Sequence, residues 1–486
     1  MGKREERDIN IFWELVVEAI NSQQWGKARV LGEHLITITP DDSSAHSALG
    51  LALLWLNDLK RAEKHLRTSI GMGEVTSRNH NFLAQVSARR GDLEGQLRWA
   101  KKAIECDEEE PWPYLVVADA YFRLERFPEA EATLRQVLER DPKDVEAHTI
   151  LGRLYLAMGQ PEKAAEKFRA VLDEEPEEAY YWANLGYALY RGGELGEALD
   201  AFRKALSLHP RNPRSYYDVG DAYMAMERYD KAIPFLASAI KLDPENSLAH
   251  HGLSRIFLDM GKYKECERSS KEALREDPYM ERQESNIGLW STENLAVSYI
   301  YQERYAEAEE CLQRNVELLE FTYYNLGLAQ FKQGKYEEAL VNLQRALEFT
   351  PTDVEYLDML ANAYMELGRL NEAKEALELA NTTDKNYALA HYDLGVVFSR
   401  MEGKQKEALQ CFKRALALNK DLPWAYYSIA CIHALQGERK PALQFLEKAF
   451  QKGFKDKEHM EKDIDLDSLR DDPRYQKLKE RYLVAR

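Results

Sequence analysis

The stretch from Tyr181 to Pro210, YWANLGYALYRGGELGEALDAFRKALSLHP, holds the pattern that decides the fold. The stretch before it, AHTILGRLYLAMGQPEKAAEKFRAVLDEEP, ends at Pro176, and the one after it, SYYDVGDAYMAMERYDKAIPFLASAIKLDP, ends at Pro244. These three prolines are therefore evenly spaced along the chain. A regular spacing of this length indicates that one structural unit is repeated, and it constrains the architecture more than any single motif does.

We number each repeat so that its eighth place is the glycine of the Leu-Gly pair. Thirteen repeats then fit the chain, and they start at Ile9, Ser43, Ser77, Pro111, Val145, Ala179, Pro213, Ser247, Leu289, Glu320, Val354, Ala388 and Pro423. The eighth place is Gly or Ala in 11 of the 13 repeats. The twentieth is Ala in 11 of 13, counting Ala408, which a one-residue insertion displaces. Such small residues allow two helix axes to approach closely.

The other recurring residues follow the periodicity of helices. Apolar or aromatic residues at places 4, 7, 8 and 11 form one face of a first helix, and those at places 20, 24 and 27 form one face of a second. A glycine-containing segment such as RGGEL, residues 191–195, is the turn between them. Proline at place 32 ends the second helix. The sequence therefore predicts an all-α chain of antiparallel helix pairs.

The recurring Tyr or Trp, Leu-Gly, Tyr, Ala, Phe, Ala and Pro resemble the tetratricopeptide repeat (TPR) family over residues 9–452. This resemblance implies a right-handed α-solenoid, a superhelix of stacked helix pairs with a concave groove. Each pair in such a stack buries its apolar face against its neighbours. The resemblance also implies that places 2, 5, 6, 9, 12 and 13 of the first helices line the groove.

Breaks in the period suggest how the chain is divided. The interval from Ser247 to Leu289 is longer than the period, and the interval from Leu289 to Glu320 is shorter. We predict a charged tail over 1–8, an N-terminal array of repeats 1–8 over 9–278, an insertion over 279–288, a C-terminal array of repeats 9–13 over 289–453, and a tail with a capping helix over 454–486. The insertion either joins two sub-arrays or is a solvated loop. In the tail, Asp472 is the expected N-cap and Pro473 the first helical residue.

Composition excludes several classes of protein. The chain has 66 Lys and Arg against 83 Asp and Glu, a net charge of −17, so we expect no general binding to nucleic acid or anionic membranes. Its five cysteines form no CxxC pair, which favours free thiols in a reducing compartment. Glu14 and Glu18 interrupt the apolar residues near the N-terminus, and no run of 18 apolar residues follows. We therefore expect a cytoplasmic protein without a signal peptide or membrane insertion.

No motif in the sequence indicates catalysis, a cofactor or a metal. The GxxxxGK[ST], HExxH and GxSxG patterns are absent, and the roughly 30 residues after the repeats are too few for a catalytic domain. Five histidines share place 4, namely His46, His80, His148, His250 and His391. Tyr or Trp holds this place in other repeats, so we expect planar side chains that pack between helices rather than metal ligands.

Arginines occupy groove places in repeats 3 to 6, although the chain as a whole is acidic. They are Arg78, Arg89, Arg123, Arg153 and Arg191. The guanidinium group offers a planar set of donors that suits carboxylates and phosphates. These residues either bind an acidic or C-terminal carboxylate segment of another protein, or form a solvated helix face with local salt bridges.

Groove places in repeats 6 to 10 carry aromatic and asparagine side chains instead. The candidate binding residues here are Asn184, Tyr187, Tyr190, Tyr217, Asn294, Tyr301, Tyr324 and Asn325. The aromatic residues either bind an apolar part of a partner or pack between successive first helices. The resemblance implies that the asparagines, at place 6, hold the backbone of an extended peptide. No repeat has the Lys at place 5 with Asn at place 9 that one chaperone-binding subclass of the family uses.

Taken together, these features predict a non-enzymatic scaffold or adaptor. A peptide or helix of a partner protein would lie in the groove, with its acidic part on the arginines and its apolar part on the aromatic residues. The alternative is a structural subunit that forms homo-oligomers by stacking of repeats. The sequence does not identify the partner.

Overall fold

The structure, a computed structural model, describes residues 3–275, 287–313 and 320–483. Within these ranges every regular element is a helix, so the predicted all-α class is confirmed. The chain forms two compact units, Met1–Leu242 and Asp243–Arg486, which we call unit 1 and unit 2. Each unit is an α-solenoid, because successive helices pack in antiparallel pairs and each pair packs on the next.

Unit 1 contains the first seven repeats. Its helices are α1 (Lys3–Asn21), α2 (Trp25–Ile38), α3 (Ser43–Trp55), α4 (Leu59–Gly71), α5 (Ser77–Arg89), α6 (Leu93–Cys106), α7 (Pro111–Arg123), α8 (Phe127–Arg140), α9 (Val145–Ala157), α10 (Pro161–Glu174), α11 (Ala179–Arg191), α12 (Leu195–Leu208), α13 (Pro213–Ala225) and α14 (Tyr229–Leu242). Most first helices begin at the predicted starts. Helix α1 begins at Lys3, so it includes most of the segment expected to be a charged tail.

Unit 2 contains the remaining repeats. Its helices are α15 (Ser247–Asp259), α16 (Tyr263–Arg275), α17 (Ile287–Tyr301), α18 (Tyr305–Gln313), α19 (Glu320–Lys332), α20 (Tyr336–Phe349), α21 (Val354–Glu366), α22 (Leu370–Thr383), α23 (Ala388–Arg400), α24 (Gln405–Leu418), α25 (Pro423–Leu435), α26 (Arg439–Gln451), α27 (Lys457–Lys462), a 3-10 helix (Ile464–Leu469) and α28 (Pro473–Leu483). Most of the predicted insertion, residues 279–286, lies outside the described residues. The boundary between the units lies at Leu242 and Asp243, before the eighth repeat.

The C-terminal tail is a shortened fourteenth repeat. Helix α27 begins at Lys457, one full period after α25 begins at Pro423. The 3-10 helix continues α27 and packs on α25, as the first helix of a next repeat would. Helix α28 begins at Pro473, and the Asp472 carboxylate accepts a 2.9 Å hydrogen bond from the Arg474 amide. The predicted capping helix is therefore present, and it packs on α26.

The small residues at place 8 face a large side chain at place 24 of the same repeat. A Cβ added to Gly152 would lie 2.6 Å from Cζ of Phe168, and one added to Gly186 would lie 2.6 Å from Cδ1 of Phe202. The same relationship holds at Gly50, Gly220, Gly327 and Gly395. The steric reason given for the repeat pattern is thus confirmed, and the opposing residue is identified.

Place 4 has a structural role that the sequence pattern did not reveal. The ring Nε2 of His148 lies 2.9 Å from the carbonyl oxygen of Pro142, six residues earlier in the loop that ends the preceding repeat. The Trp182 indole donates in the same way to Pro176, at 2.8 Å. Equivalent bonds join His46 to Pro40, Tyr114 to Glu108, His250 to Pro244 and His391 to Lys385. In these six repeats a planar side chain with a polar hydrogen at place 4 therefore satisfies a loop carbonyl.

Candidate partner-binding surfaces

In each unit the first helices of successive repeats contact one another, for example α3 with α5 and α21 with α23. We call the surface that they form, carrying places 2, 5, 6, 9, 12 and 13, the first-helix face. All the predicted binding residues lie on this face. Several of them are also engaged in contacts within the fold, which sequence reasoning could not determine.

The five arginines of unit 1 are exposed but differ in what they contact. The Nη1 atom of Arg89 donates a 2.6 Å hydrogen bond to the Leu54 carbonyl at the end of α3, and its guanidinium lies over the Trp55 ring. Because carbonyls at a helix C-terminus lack partners within the helix, Arg89 stabilises that helix end. No hydrogen bond or ion pair joins Arg78 or Arg123 to another described residue.

The other two arginines lie against aromatic rings. The Arg153 guanidinium is 5.7 Å from the centre of the Phe122 ring in the preceding repeat. The Arg191 guanidinium donates a 3.0 Å hydrogen bond to the Tyr187 hydroxyl. Stacked guanidinium groups of this kind keep free edges for hydrogen bonds to a ligand.

A cleft of about 390 Å³ lies between the sixth and seventh repeats. It is lined by Ala179, Tyr180, Ala183, Asn184, Tyr187, Phe202, His209, Asn212, Arg214, Ser215 and Asp218. Tyr180 is 55% exposed and Tyr187 is 41% exposed, so each side chain keeps about half of its surface open to solvent. The Asn184 side chain donates to the Tyr180 carbonyl at 2.9 Å, within its own helix. The tyrosines thus stand at the entrance of a cleft with a polar wall.

Arg214 and Asp218 form the charged wall of this cleft. The Arg214 Nε atom lies 2.7 Å from Oδ1 of Asp218. Burial raises the pKa of Asp218 above its ordinary value, although Arg214 opposes this effect. Burial also raises the pKa of the neighbouring Tyr217, which is half-buried like Tyr190. The side chains of these two tyrosines are therefore partly packed within the fold.

One buried polar side chain on the first-helix face of unit 1 has no hydrogen-bond partner. Asn81, at place 5 of the third repeat, is 3% exposed, and neither its Oδ1 nor its Nδ2 atom has a hydrogen-bond partner. Buried amides are nearly always satisfied in folded proteins. Asn81 is therefore a group to which a ligand could supply both a donor and an acceptor.

The candidate residues of unit 2 are largely involved in packing. The Asn294 side chain donates to the Ser254 hydroxyl at 2.9 Å, so its amide joins α17 to α15. Tyr301, although 62% exposed, stacks on Tyr263 with ring centres 4.7 Å apart. Tyr324 stacks on Tyr356 at 4.5 Å. These stacked pairs present ring edges and faces on the first-helix face.

Three carboxyl groups, two buried and one half-buried, also lie on this face of unit 2, and sequence reasoning missed them. Glu293 and Asp358 are at place 5 of repeats 9 and 11, and Asp393 is at place 6 of repeat 12. Glu293 and Asp358 are each 8% exposed. The sequence does contain a signal for Glu293 and Asp358, since the other residues at place 5 in the repeats of unit 2 are aromatic.

The place-4 histidines direct a ring nitrogen at a backbone carbonyl of the fold. Four of them direct Nε2 at a loop carbonyl, and His80 directs Nδ1 at the Thr76 carbonyl at 2.9 Å. Among the described residues, Cys431, Asp463 and Asp465 are a group whose potential ligand atoms lie within 4.8 Å of one another.

Hydrogen bonds account for this group of three. The Tyr427 hydroxyl and the Cys431 thiol both donate to Oδ2 of Asp463, at 2.6 and 3.5 Å. Burial and the nearby carboxylates raise the pKa of the Cys431 thiol, which keeps the donated proton in place. The contacts fasten the fourteenth repeat to α25.

Comparison with known proteins identifies the family to which the chain belongs. Models of the tetratricopeptide repeat match residues 47–111, 117–157, 151–213, 223–279, 289–320, 321–353 and 354–387, and a TPR repeat model matches 400–437. The chain belongs to the tetratricopeptide repeat family. This family consists in general of non-catalytic scaffolds for protein interaction.

Individual relatives match only parts of this TPR chain. Protein NPGR2 of Arabidopsis thaliana is 29% identical over 146 residues, which cover 28% of this chain and 19% of that protein. BBSome complex member BBS4 of Bos taurus is 27% identical over 192 residues, 32% of this chain and 37% of that protein. The chain thus spans well under half the length of these relatives. Among solved structures, the APC/C hetero-tetramer Cut9-Hcn1 matches with a TM-score of 0.42 and 15% identity, covering 91% of this chain and 96% of that chain.

Across the described residues, no helix combines the length and apolar character needed to cross a lipid bilayer.

Proposed function

We propose that the protein is a non-enzymatic scaffold or adaptor that binds a peptide or helix of a partner protein on the first-helix face of its repeats. The observation that carries this proposal is the cleft between repeats 6 and 7, where Tyr180 and Tyr187 are about half exposed. Large aromatic rings that the fold does not bury are typical of binding surfaces, because they bury much area with little loss of conformational entropy.

The neighbouring arginines extend this surface. Arg123 has no partner in the described fold, and Arg153 and Arg191 are stacked with their edges exposed. An acidic segment of the partner would lie against these three guanidinium groups, and its apolar residues would enter the cleft. The unpartnered amide of Asn81 would hold part of the partner's backbone in the third repeat.

A photo-crosslinking amino acid at position 187 tests this proposal. In cells, we expect it to attach one defined partner, whereas the same group at Val30, exposed on the second helix α2, attaches none. Replacing Arg123, Arg153 and Arg191 by Glu should abolish the crosslink. Replacing Lys60, Arg98 and Lys241 on second helices by Glu is the matched control for charge. An undiminished crosslink in the first triple variant would refute the electrostatic part of the proposal.

Self-assembly is the alternative function, and the same position-187 crosslinking variant tests it. If the position-187 crosslink joins two copies of this chain, the protein is a homo-oligomer through repeat stacking. Light scattering over a range of protein concentrations would then give a mass above the 56.2 kDa of one chain.

A further inference from the structure

Unit 2 places a carboxyl group without partners on its first-helix face. Glu293 lies on α17, is 8% exposed, and neither of its side-chain oxygens has a hydrogen-bond partner. Thr322 and Asn325, on α19, lie beside it and partly oppose the effect of burial, which raises its pKa to about 7. A buried carboxyl without a cation is costly, and Thr322 and Asn325 compensate Glu293 only in part, so its presence calls for an explanation.

Two repeats further along, two carboxyl groups lie against each other. Asp358 on α21 is 8% exposed, its Oδ1 atom has no partner, and Asp393 on α23 lies against it. Burial and the neighbouring carboxyl raise the pKa of Asp358, and burial raises that of Asp393. Asp393 therefore disfavours ionisation of Asp358, whereas the hydrogen bond from Asp358 favours the ionised form of Asp393.

No cation of the described fold is paired with these groups. Neither Glu293, Asp358 nor Asp393 takes part in an ion pair with a described Lys, Arg or His. Arg400 lowers the pKa of Asp393 through its charge, but its guanidinium donates to the Met365 carbonyl at 3.1 Å and lies 3.7 Å from Glu366. Arg400 thus stabilises the end of α21, as Arg89 does for α3, and compensates the aspartates only in part.

Aromatic rings flank the carboxyl groups. Tyr324, at place 5 of the repeat between Glu293 and Asp358, stacks face to face with Tyr356. Tyr387 is close enough to Asp358 for the carboxylate to raise its pKa, after the effect of burial. Carboxylates beside aromatic faces are the combination that recognises ammonium and guanidinium groups, by charge-assisted hydrogen bonds and by cation–π contact.

We propose that the first-helix face of unit 2, from Glu293 to Asp393, binds a segment of a partner protein that carries Lys or Arg side chains. One cationic side chain binds at Glu293 and a second between Asp358 and Asp393, with the chain between them crossing Tyr324. The proposal rests on the scaffold function and adds the charge of the ligand for this unit. The positive groups thereby supply the partners that the carboxyl oxygens lack.

The spacing of the two sites favours a peptide over a small amine. Neighbouring packed helices are roughly 8–10 Å apart, so first helices two repeats apart are separated by roughly 16–20 Å. An extended chain covers this distance in about six residues. Two cationic side chains about six positions apart in one segment can therefore occupy both sites, whereas a single Lys or Arg molecule can fill only one.

The test uses the full-length protein and short labelled peptides in fluorescence anisotropy at low salt. The probe has two Arg about six positions apart in a Gly, Ser and Gln sequence, and the comparison peptides carry Gln or Glu in their place. We expect the Arg peptide to bind at least about tenfold more tightly than either. Equal affinity for the Arg and Gln peptides would overturn the proposal.

Variants of the carboxyl groups complete the test. Glu293→Gln and Asp358→Asn should each weaken the Arg peptide at least about tenfold, whereas Glu375→Gln, the same charge change on the second helix α22, should not. Asp358→Asn should leave the urea midpoint of the protein unchanged, because burial and Asp393 raise the pKa of Asp358 to about 9 and the Asn amide can donate to Asp393 in place of the protonated carboxyl. Lost binding then cannot be attributed to unfolding. Unchanged affinity in both variants refutes the site. Crosslinking at position 187 of unit 1 tests the scaffold function independently of this result. If the Arg peptide does not bind, only the proposed charge of the unit 2 ligand is refuted.

Discussion

The phenyl ring of Phe168 fills the space into which a side chain at Gly152 would extend, since an added Cβ would lie 2.6 Å from Cζ of the ring. Phe168 is fully buried, so the ring cannot move out into solvent. The same contact between places 8 and 24 recurs in both units, and it sets how closely the two helices of a repeat approach.

We therefore expect Gly152→Val to lower the free energy of unfolding of unit 1 by about 1–3 kcal/mol, the usual cost of overpacking a buried site. Urea denaturation followed by circular dichroism measures this. Gly196→Ala is the control, because an added Cβ on Gly196 meets no atom within 4 Å and should cause no loss of stability. Equal stability of the Gly152→Val and wild-type proteins would contradict the packing argument.

The hydrogen bond from place 4 to the preceding loop predicts a different kind of sensitivity. His148→Phe keeps a planar ring but leaves the Pro142 carbonyl without its donor, so we expect a loss of about 1–3 kcal/mol. His148→Trp should be less destabilising, because Trp182 makes this bond in the next repeat and the Nδ1 atom of His148 has no partner to lose. Thermal unfolding compares the two variants, and equal losses would argue that ring packing alone matters.

The arginines of unit 1 should divide into structural and binding residues. Arg89→Gln removes the bond to the Leu54 carbonyl and the contact with Trp55, so we expect a loss of about 1–2 kcal/mol. Arg123→Gln should change stability by less than about 0.5 kcal/mol, as exposed residues without partners do, yet weaken crosslinking from position 187. Denaturation and crosslinking of both variants distinguish a structural role from a binding role. A large loss of stability in Arg123→Gln would show that Arg123 has a structural role.

The raised pKa of Glu293 predicts how the stability of unit 2 depends on pH. Because burial raises this pKa from 4.5 to about 7, the native state binds the proton more tightly than the unfolded state does. The stability that Glu293 contributes is therefore present in full below about pH 4.5 and is lost as the pH rises through 7. The difference in pKa corresponds to roughly 3 kcal/mol.

Glu293→Gln should accordingly match the wild type near pH 4.5 and exceed it by roughly 2–3 kcal/mol at pH 8. Urea denaturation at pH 4.5, 6 and 8 gives the comparison, with Glu375→Gln expected to follow the wild type throughout. A difference between Glu293→Gln and wild type that is constant across this pH range would show that the effect is not one of ionisation.

Much of the repeat could be predicted because its signals are local. Gly or Ala at place 8, Ala at place 20 and Pro at place 32 mark the helix pair and its ends within one period. The fourteenth repeat was not predicted from these signals. Its first helix is interrupted where Asp463 ends α27 and accepts the Tyr427 and Cys431 hydrogen bonds, and its sequence lacks the Leu-Gly pair.

The candidate binding residues were predictable as positions but not as roles. Arg89 and Arg123 occupy the same place in successive repeats, yet one holds a helix end and the other has no partner in the described fold. Asn294 was expected to hold a ligand backbone and instead donates to Ser254.

The sequence alone determined the helix pairs, their period and the residues of the first-helix face. The reason is that steric fit between places 8, 20 and 24 operates within a single repeat. Tertiary structure alone decided which polar groups on that face are satisfied and which are buried with oxygens that lack a hydrogen-bond partner, as Glu293 and Asp358 are. The physical reason is that burial and hydrogen bonding of a side chain depend on helices contributed by neighbouring repeats, whose residues lie a whole period or more away in the chain.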